Sequence, residues 1–74
     1  MDEEVFIMQL AERIKQLRVE KGMTQLDVAS KMGIDDSSYR KIESGRTNPT
    51  ARTIYKLAIA LDVSVFQLFP EKEG

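Results

Sequence analysis

Apolar residues recur at helical spacing in the first half of the chain. The first set consists of Phe6, Leu10, Ile14 and Leu17. Residues spaced by four and three share one face of an α-helix, so this set predicts an amphipathic first helix that Gly22 ends. A second, shorter set consists of Val28, Ala29 and Met32. Thr24 can cap this second helix through its hydroxyl, and Gly33 can provide its left-handed end.

Three further helices follow in the pattern. Asp35 is placed to cap a third helix, which Gly45 ends. Its inner face consists of Tyr39 and Ile42. After a polar loop comes a fourth helix, whose apolar face consists of Ile54, Leu57, Ala58 and Leu61. A last short turn spans residues 64–69. The pattern predicts an all-α fold, with five helices in one domain over residues 1–74.

Composition narrows the possible functions. The chain has 74 residues, with 42% hydrophobic and 31% charged, which is typical of one small globular domain. It contains no cysteine and no histidine, so disulfides and the usual metal sites are excluded, and we expect no metal and no other cofactor. No apolar run is long enough for a membrane span, and no basic region followed by an apolar stretch indicates a signal peptide. We therefore expect a cytoplasmic protein without a membrane partner.

The charge is distributed unevenly although the net charge is only −1. Residues 1–12 hold four acids and no base, and residues 62–74 hold three acids and one base. Residues 13–35 carry a balance of +2, and residues 36–61 one of +3. A local basic region matters more to a polyanion than the total charge does, so the middle of the chain is compatible with nucleic-acid binding. An ordinary solvated surface is the alternative.

The second and third helices, within about residues 24–45, have the spacing of a helix-turn-helix unit. In the same register lie Thr24, Gln25, Val28, Ala29, Gly33, Ile34, Ile42, Glu43, Gly45, Pro49, Leu57, Ala58, Leu61, Leu68 and Phe69. Together they closely resemble the DNA-binding domains of phage repressors and Cro, the xenobiotic-response-element (XRE) family, over about residues 10–69. The resemblance implies a lambda repressor-like fold that binds double-stranded DNA with its third helix in the major groove.

The resemblance implies base contacts from the exposed face of the third helix. The candidates are Asp36, Ser37, Ser38, Arg40 and Lys41. Asp35 is best explained as the helix cap. Asp36 is unusual because a carboxylate near phosphates is repelled, and three interpretations stay open. It can accept a hydrogen bond from a cytosine amino group, it can weaken binding to wrong sites, or it can only favour the helix dipole.

The same resemblance implies phosphate contacts around the third helix, which would position the domain without reading sequence. The candidates are Gln25, Arg46, Thr47, Asn48, Thr50 and Arg52. The family also commonly pairs an arginine late in the first helix with a glutamate near the end of the third. Here these are Arg18 and Glu43, which we expect to stabilise the fold instead of contacting DNA.

An exposed apolar patch is predicted on the last two helices. It consists of Ile59, Val65 and Phe66. Such a patch favours a homodimer held through the C-terminal helices, because specific DNA sites are normally read by two copies of a small domain. The alternative is that Phe66 folds back onto the first helix. A rival patch at residues 5–8 would cover the core or support the same interface.

These arguments predict a sequence-specific transcriptional regulator, a repressor that binds a palindromic operator as a homodimer. An enzyme is disfavoured, because the chain lacks histidine and cysteine and adjacent aspartates at 35 and 36 diverge on a helix start. The alternative is an antitoxin-type or other interaction module that binds a partner protein as well as DNA. The length and apolar start are also similar to restriction–modification controller proteins, but the arginine and tyrosine expected at positions 36 and 38 are absent.

Overall fold

Five α-helices form the part of the chain that the computed structural model describes, residues 2–70. They are α1 (Glu3–Glu20), α2 (Gln25–Met32), α3 (Asp36–Glu43), α4 (Ala51–Leu61) and α5 (Val65–Leu68). No strand occurs in these residues. The all-α, five-helix prediction is therefore confirmed. No helix within residues 2–70 combines the length and apolar character that crossing a membrane requires.

Each helix begins at a polar side chain that accepts a hydrogen bond from a backbone amide of its own first turn. The five capping residues are Asp2, Thr24, Asp35, Thr50 and Ser64. Such caps satisfy amides that have no partner within the helix. The predicted caps Thr24 and Asp35 are confirmed. Thr50, a candidate phosphate contact, also has the local role of capping α4, where its hydroxyl accepts from the Thr53 amide at 3.2 Å.

The core lies where α1, α2, α3 and α4 meet, with α5 closing one end. Its largest fully buried side chains are Ile14, Val28, Tyr39, Leu57, Leu61 and Leu68. Every helix contributes at least one of them, so each helix is oriented by apolar contacts with the others. Burial of this kind supplies most of the stability of short helices, which are marginal when isolated.

The first member of the predicted stripe on α1 lies at the edge of this core. Phe6 remains 40% exposed, and Ala11 is buried together with Leu10 and Ile14. The Phe6 ring stacks on Phe69 with centroids 6.1 Å apart and an interplanar angle of 19°. The periodicity of α1 correctly gives the inward direction, but the core does not extend far enough to cover its first turns.

Candidate nucleic-acid interface

A tight three-residue turn, residues 33–35, joins α2 to α3. Gly33 has φ of +74°, in the left-handed region that glycine adopts without steric cost. The Ile34 amide then donates to the Ala29 carbonyl at 3.1 Å, which satisfies a carbonyl at the end of α2. Ile34 packs against the core, and α2 and α3 contact each other closely. The turn and these contacts fix the angle between the two helices, as a helix-turn-helix requires.

The outer face of α3 is polar. Tyr39 and Ile42 are buried, as predicted, so the residues between them point away from the core. The exposed side chains are Ser37, Ser38, Arg40 and Lys41, and Asp36 is partly buried. The five candidate base-contacting residues therefore share one accessible face of a short helix.

The cap at Asp35 also binds the two serines that follow it. The Ser37 hydroxyl donates to Asp35 Oδ2 at 2.5 Å, and the Ser38 hydroxyl donates to Oδ1 at 2.8 Å. The Ser38 amide donates to Oδ2 at 3.3 Å. The hydroxyls of Ser37 and Ser38, together with the backbone amides, lower the pKa of Asp35 to about 2. Asp35 is therefore a carboxylate at neutral pH and acts only as an acceptor.

Asp36 forms an ion pair that the sequence analysis did not identify. Arg40 Nη2 lies 2.9 Å from Asp36 Oδ2, with both residues on α3 four positions apart. The spacing of the two residues in the sequence indicates this pair, since an acid and a base four positions apart face each other on a helix. The other oxygen of Asp36, Oδ1, is covered by surrounding atoms and accepts no hydrogen bond within residues 2–70. Asp36 and Arg40 therefore form one unit on the outer face.

Beneath this face, Glu43 anchors the end of α3. Arg18 of α1 donates to both of its carboxylate oxygens, at 2.7 and 2.9 Å, which confirms the predicted pair. Gln25 donates to the same carboxylate at 3.1 Å, and Tyr39 donates through its hydroxyl. The side chains of Arg18 and Glu43 are only 13% and 4% exposed. The network ties α1, α2 and α3 together behind the outer face.

The protonation states in this network follow from its contacts. Burial alone would raise the pKa of Glu43, but hydrogen bonds from Arg18, Tyr39 and Gln25 outweigh it and lower the pKa. Burial, together with the bond to Glu43, raises the pKa of Tyr39 far above its ordinary value, so its hydroxyl stays protonated. Tyr39 was predicted only as an apolar core residue. Its spacing of four residues from Glu43 was the signal that could have found the bond.

A shallow groove runs between α3 and the segment that follows it. Its polar lining consists of Ser38, Lys41, Thr47, Asn48, Thr50, Arg52, Thr53 and Lys56. The groove brings together most of the predicted phosphate contacts with two residues of the outer face of α3. Among its lining residues in the described chain are three cations and no carboxylate. Lys56 was not identified from the sequence, because only the packing of α4 brings this residue to the groove.

Two predicted phosphate contacts lie outside this groove. Gln25 is partly buried, and its amide group is bound to Glu43, so in the free protein it braces α3. Arg46 is exposed just after α3, where its backbone amide donates to the Lys41 carbonyl at 3.2 Å. The backbone of Arg46 is thus held at the end of α3.

The three residues of the predicted apolar patch are all exposed. Phe66 is 87% exposed, Ile59 63% and Val65 36%. The alternative in which Phe66 folds back onto α1 is therefore wrong. Phe66 and Leu68 both belong to the four-residue helix α5. Leu68 is fully buried, so the two side chains point in different directions.

Comparison with known proteins gives a consistent result. A family model described as helix-turn-helix matches residues 14–68. The HTH-type transcriptional regulator y4dJ of Sinorhizobium fredii is 46% identical over 52 residues, covering 70% of this chain and 68% of that protein. The regulator SinR of Bacillus subtilis is 41% identical over 64 residues, covering 85% of this chain and 58% of SinR. The cryptic phage CTXphi repressor RstR of Vibrio cholerae is 38% identical over 61 residues, covering 82% of this chain and 54% of RstR.

Solved structures with this fold include the restriction-modification controller protein C.AhdI from Aeromonas hydrophila. It has a TM-score of 0.82 and 35% identity, covering 85% of this chain and 96% of that one. The hypothetical transcription factor NHTF from Neisseria has a TM-score of 0.84 and 33% identity, covering 95% of this chain and 80% of that one. The chain spans less than two thirds of the length of SinR and RstR.

Proposed function

This chain belongs to the helix-turn-helix family of transcriptional regulators (XRE type), and from that premise we propose that it is a sequence-specific repressor that binds an operator in double-stranded DNA. The observation that carries the proposal is the outer face of α3, which is polar and accessible and lies beside a groove lined by Lys41, Arg52 and Lys56. A polar helix face can read base edges while adjoining cations bind phosphates.

Electrostatics support this use of the surface. The acids at the two ends of the chain leave residues 13–61 with an excess of bases, and three of these bases converge on one groove. Each phosphate that a lysine or arginine neutralises releases counterions, so the affinity of such a groove for DNA depends strongly on salt. The net charge of −1 is compatible with DNA binding because the polyanion meets the local charge.

We assign base contacts to the outer face of α3. The residues are Asp36, Ser37, Ser38, Arg40 and Lys41. Phosphate contacts are assigned to the residues around it. They are Gln25, Arg46, Thr47, Asn48, Thr50, Arg52 and Lys56. The buried network around Glu43 supports this division, because it holds α3 rigidly from behind and leaves its outer side chains available to DNA.

A homodimer follows from the apolar patch of Ile59, Val65 and Phe66. Exposed side chains of this size on a small domain mark an interface, and a twofold arrangement makes the patch self-complementary. Two reading helices about 34 Å apart would then match a palindromic operator whose half-sites are one helical turn apart. Under this proposal a monomer binds operator weakly and the dimer binds it specifically.

A second candidate function is a module that binds a partner protein as well as DNA, as an antitoxin does. Val5 and Met8 are exposed on the first turns of α1, and together with Glu4 and Glu12 they line an open depression. An apolar surface bordered by acids favours a basic protein partner over a nucleic acid. Such a partner would add to DNA binding by α3 without replacing it.

The test of the main proposal is selection of an operator from random duplex DNA, followed by binding to that operator and to a scrambled duplex at several salt concentrations. We expect tight binding to the selected site, a steep loss of affinity with salt, and weaker binding by Lys41→Ala. Val19→Ala provides a matched control, because Val19 is exposed on α1 away from α3. Equal, weak binding to both duplexes by the unaltered protein would refute the proposal.

A further inference from the structure

The hydroxyl protons of the two serines in the first turn of α3 are already engaged in hydrogen bonds. Ser37 and Ser38 each donate to a different oxygen of Asp35, at 2.5 and 2.8 Å. Both side chains are nevertheless exposed on the outer face of the helix. Each hydroxyl oxygen therefore still has lone pairs that can face a ligand, but its single proton points at the cap.

This arrangement changes what the serines can recognise. A free serine hydroxyl donates or accepts, so it does not distinguish between base edges. A serine whose proton is held by a carboxylate can only accept. Asp35 is ionised at neutral pH, as its lowered pKa requires, so it cannot supply a proton in exchange.

We propose that the hydroxyls of Ser37 and Ser38 present only hydrogen-bond acceptors to DNA, and that they therefore select amino bases over keto bases on the strand that they face. Adenine and cytosine carry an amino group at the major-groove edge, whereas guanine and thymine carry a carbonyl oxygen there. An acceptor meets a donor in the first case and another acceptor in the second. This inference rests on the proposed function and adds the chemistry of the bases that are read.

Rotation of a serine toward a keto base would cost a strong interaction. Hydrogen bonds to an ionised carboxylate are shorter and stronger than those between neutral groups, and the two serine bonds to Asp35 are of this kind. A serine that donated its proton to guanine or thymine would exchange its hydrogen bond to the Asp35 carboxylate for a weaker one to a neutral carbonyl. Asp35, the cap of α3, thus controls the base preference of Ser37 and Ser38.

The later turn of the helix has the opposite polarity. Lys41 carries only donors, and Arg40 retains donors beyond the one bound to Asp36. Donors of this kind suit the acceptor edge of guanine. The outer face of α3 is thus divided into an acceptor turn and a donor turn. A half-site read by both turns would carry amino bases opposite the first and guanine opposite the second.

The first experiment locates the base pairs that the serines read. An operator is selected with the unaltered protein, and single-base preferences are then measured for Ser37→Ala and Ser38→Ala. We expect each variant to lose preference at one position of each half-site. Ser44→Ala is the matched control, since Ser44 is exposed at the end of the same helix and its hydroxyl donates to the Lys41 carbonyl. The control should leave every preference unchanged.

The second experiment tests the chemistry at those positions. Adenine is replaced by purine and cytosine by 2-pyrimidinone, both of which lack the amino group. We expect the unaltered protein to bind roughly 3- to 10-fold more weakly, as for loss of one hydrogen bond, with no further loss in the matching serine variant. Asp35→Asn still caps the helix but offers a single acceptor, so it frees one serine proton. We expect that variant to tolerate guanine or thymine at one of the two positions.

The outcomes separate this inference from the proposed function. If the unaltered protein selects no operator, the proposed function fails and the inference fails with it. If an operator is selected but neither serine variant changes a preference, or the bases lacking the amino group bind equally well, only the inference is overturned. Equal discrimination by Asp35→Asn and the unaltered protein, with helical content unchanged by circular dichroism, would also overturn it.

Discussion

Arg18 in α1 and Glu43 at the end of α3 are joined by two parallel hydrogen bonds of 2.7 and 2.9 Å. The residues lie 25 positions apart in the chain, and little of either side chain reaches solvent. The pair connects the first helix to the last turn of the helix that carries the candidate base contacts. Both the stability of the fold and the rigidity of the outer face of α3 depend on this connection.

Removal of one partner is expected to destabilise the fold strongly. Arg18→Ala leaves the Glu43 carboxylate buried without its main donor, and such a loss costs about 3–5 kcal/mol of unfolding free energy. Arg18→Met combined with Glu43→Leu should recover only part of the loss, because no buried charge remains but the buried Tyr39 hydroxyl loses its acceptor. Urea unfolding measures both variants. Arg40→Ala, which breaks an exposed ion pair, is the control and should cost less than about 1 kcal/mol. Equal losses from Arg18→Ala and Arg40→Ala would contradict the assignment.

Asp35 should make the fold sensitive to acid. Its pKa is about 2 in the folded chain, below the ordinary value of 3.8. The folded state therefore favours the ionised form, and this contribution to stability is complete above the unfolded pKa and is lost as pH falls from about 4 to about 2. We expect the midpoint temperature of unfolding to fall less over that pH range for Asp35→Asn than for the unaltered protein. Some sensitivity will remain, because the pKa values of Asp27 and Glu43 are also lowered. Parallel curves for the two proteins would exclude the role of Asp35.

Asp36 is expected to restrain non-specific binding. In the free protein it holds one nitrogen of Arg40 and places a negative charge on the proposed DNA-binding face. Asp36→Asn removes the charge and releases the guanidinium, so affinity for random duplex DNA should rise and discrimination at one position of each half-site should change. The double variant with Arg40→Gln should bind random DNA no better than the unaltered protein. If Asp36→Asn selects the same operator with the same discrimination, Asp36 serves only the helix dipole.

Lys56 and Arg46 should set affinity without setting preference. Lys56 lines the groove beside α3, and Arg46 follows α3 directly. Alanine at either position should weaken binding to operator and to random duplex alike, and should reduce the slope of log affinity against log salt by about one contact. Lys15→Ala, on the exposed side of α1, is the control and should change neither quantity. A change in base preference with Lys56→Ala would assign this residue to sequence reading.

Phe66 should determine the oligomeric state. Phe66→Glu places a charge in the exposed apolar patch on α4 and α5, so we expect a monomer by sedimentation and a loss of operator affinity. Val19→Glu introduces the same charge at an exposed apolar residue of α1 and should leave the dimer intact. If the Phe66→Glu variant forms a dimer of unchanged strength, the interface does not include Phe66. An unaltered protein that is monomeric at micromolar concentration would remove the dimer proposal.

The sequence by itself determined the local structure of this protein. Apolar spacing indicated the helices, and Thr24 and Asp35 indicated where two of them begin, because a helix and its cap depend on residues three or four positions apart. Contacts between residues three or four positions apart can be predicted from the sequence alone. The Asp36–Arg40 pair is also of this kind and could have been predicted. Arg18 and Glu43 were paired correctly only through the family resemblance, since nothing local connects two residues 25 positions apart.

The tertiary structure decided which groups meet and which remain free. The position of Lys56 in the groove depends on how α4 packs against α2, and the bond from Gln25 to Glu43 depends on the angle between α2 and α3. Phe6 has the periodicity of a core residue but stays partly exposed, because no helix within residues 2–70 covers the first turns of α1. Hydrophobic spacing gives the direction of a side chain from its own helix. Only the relative placement of the helices fixes what that side chain contacts, because the same apolar face can pack in several rotations and registers.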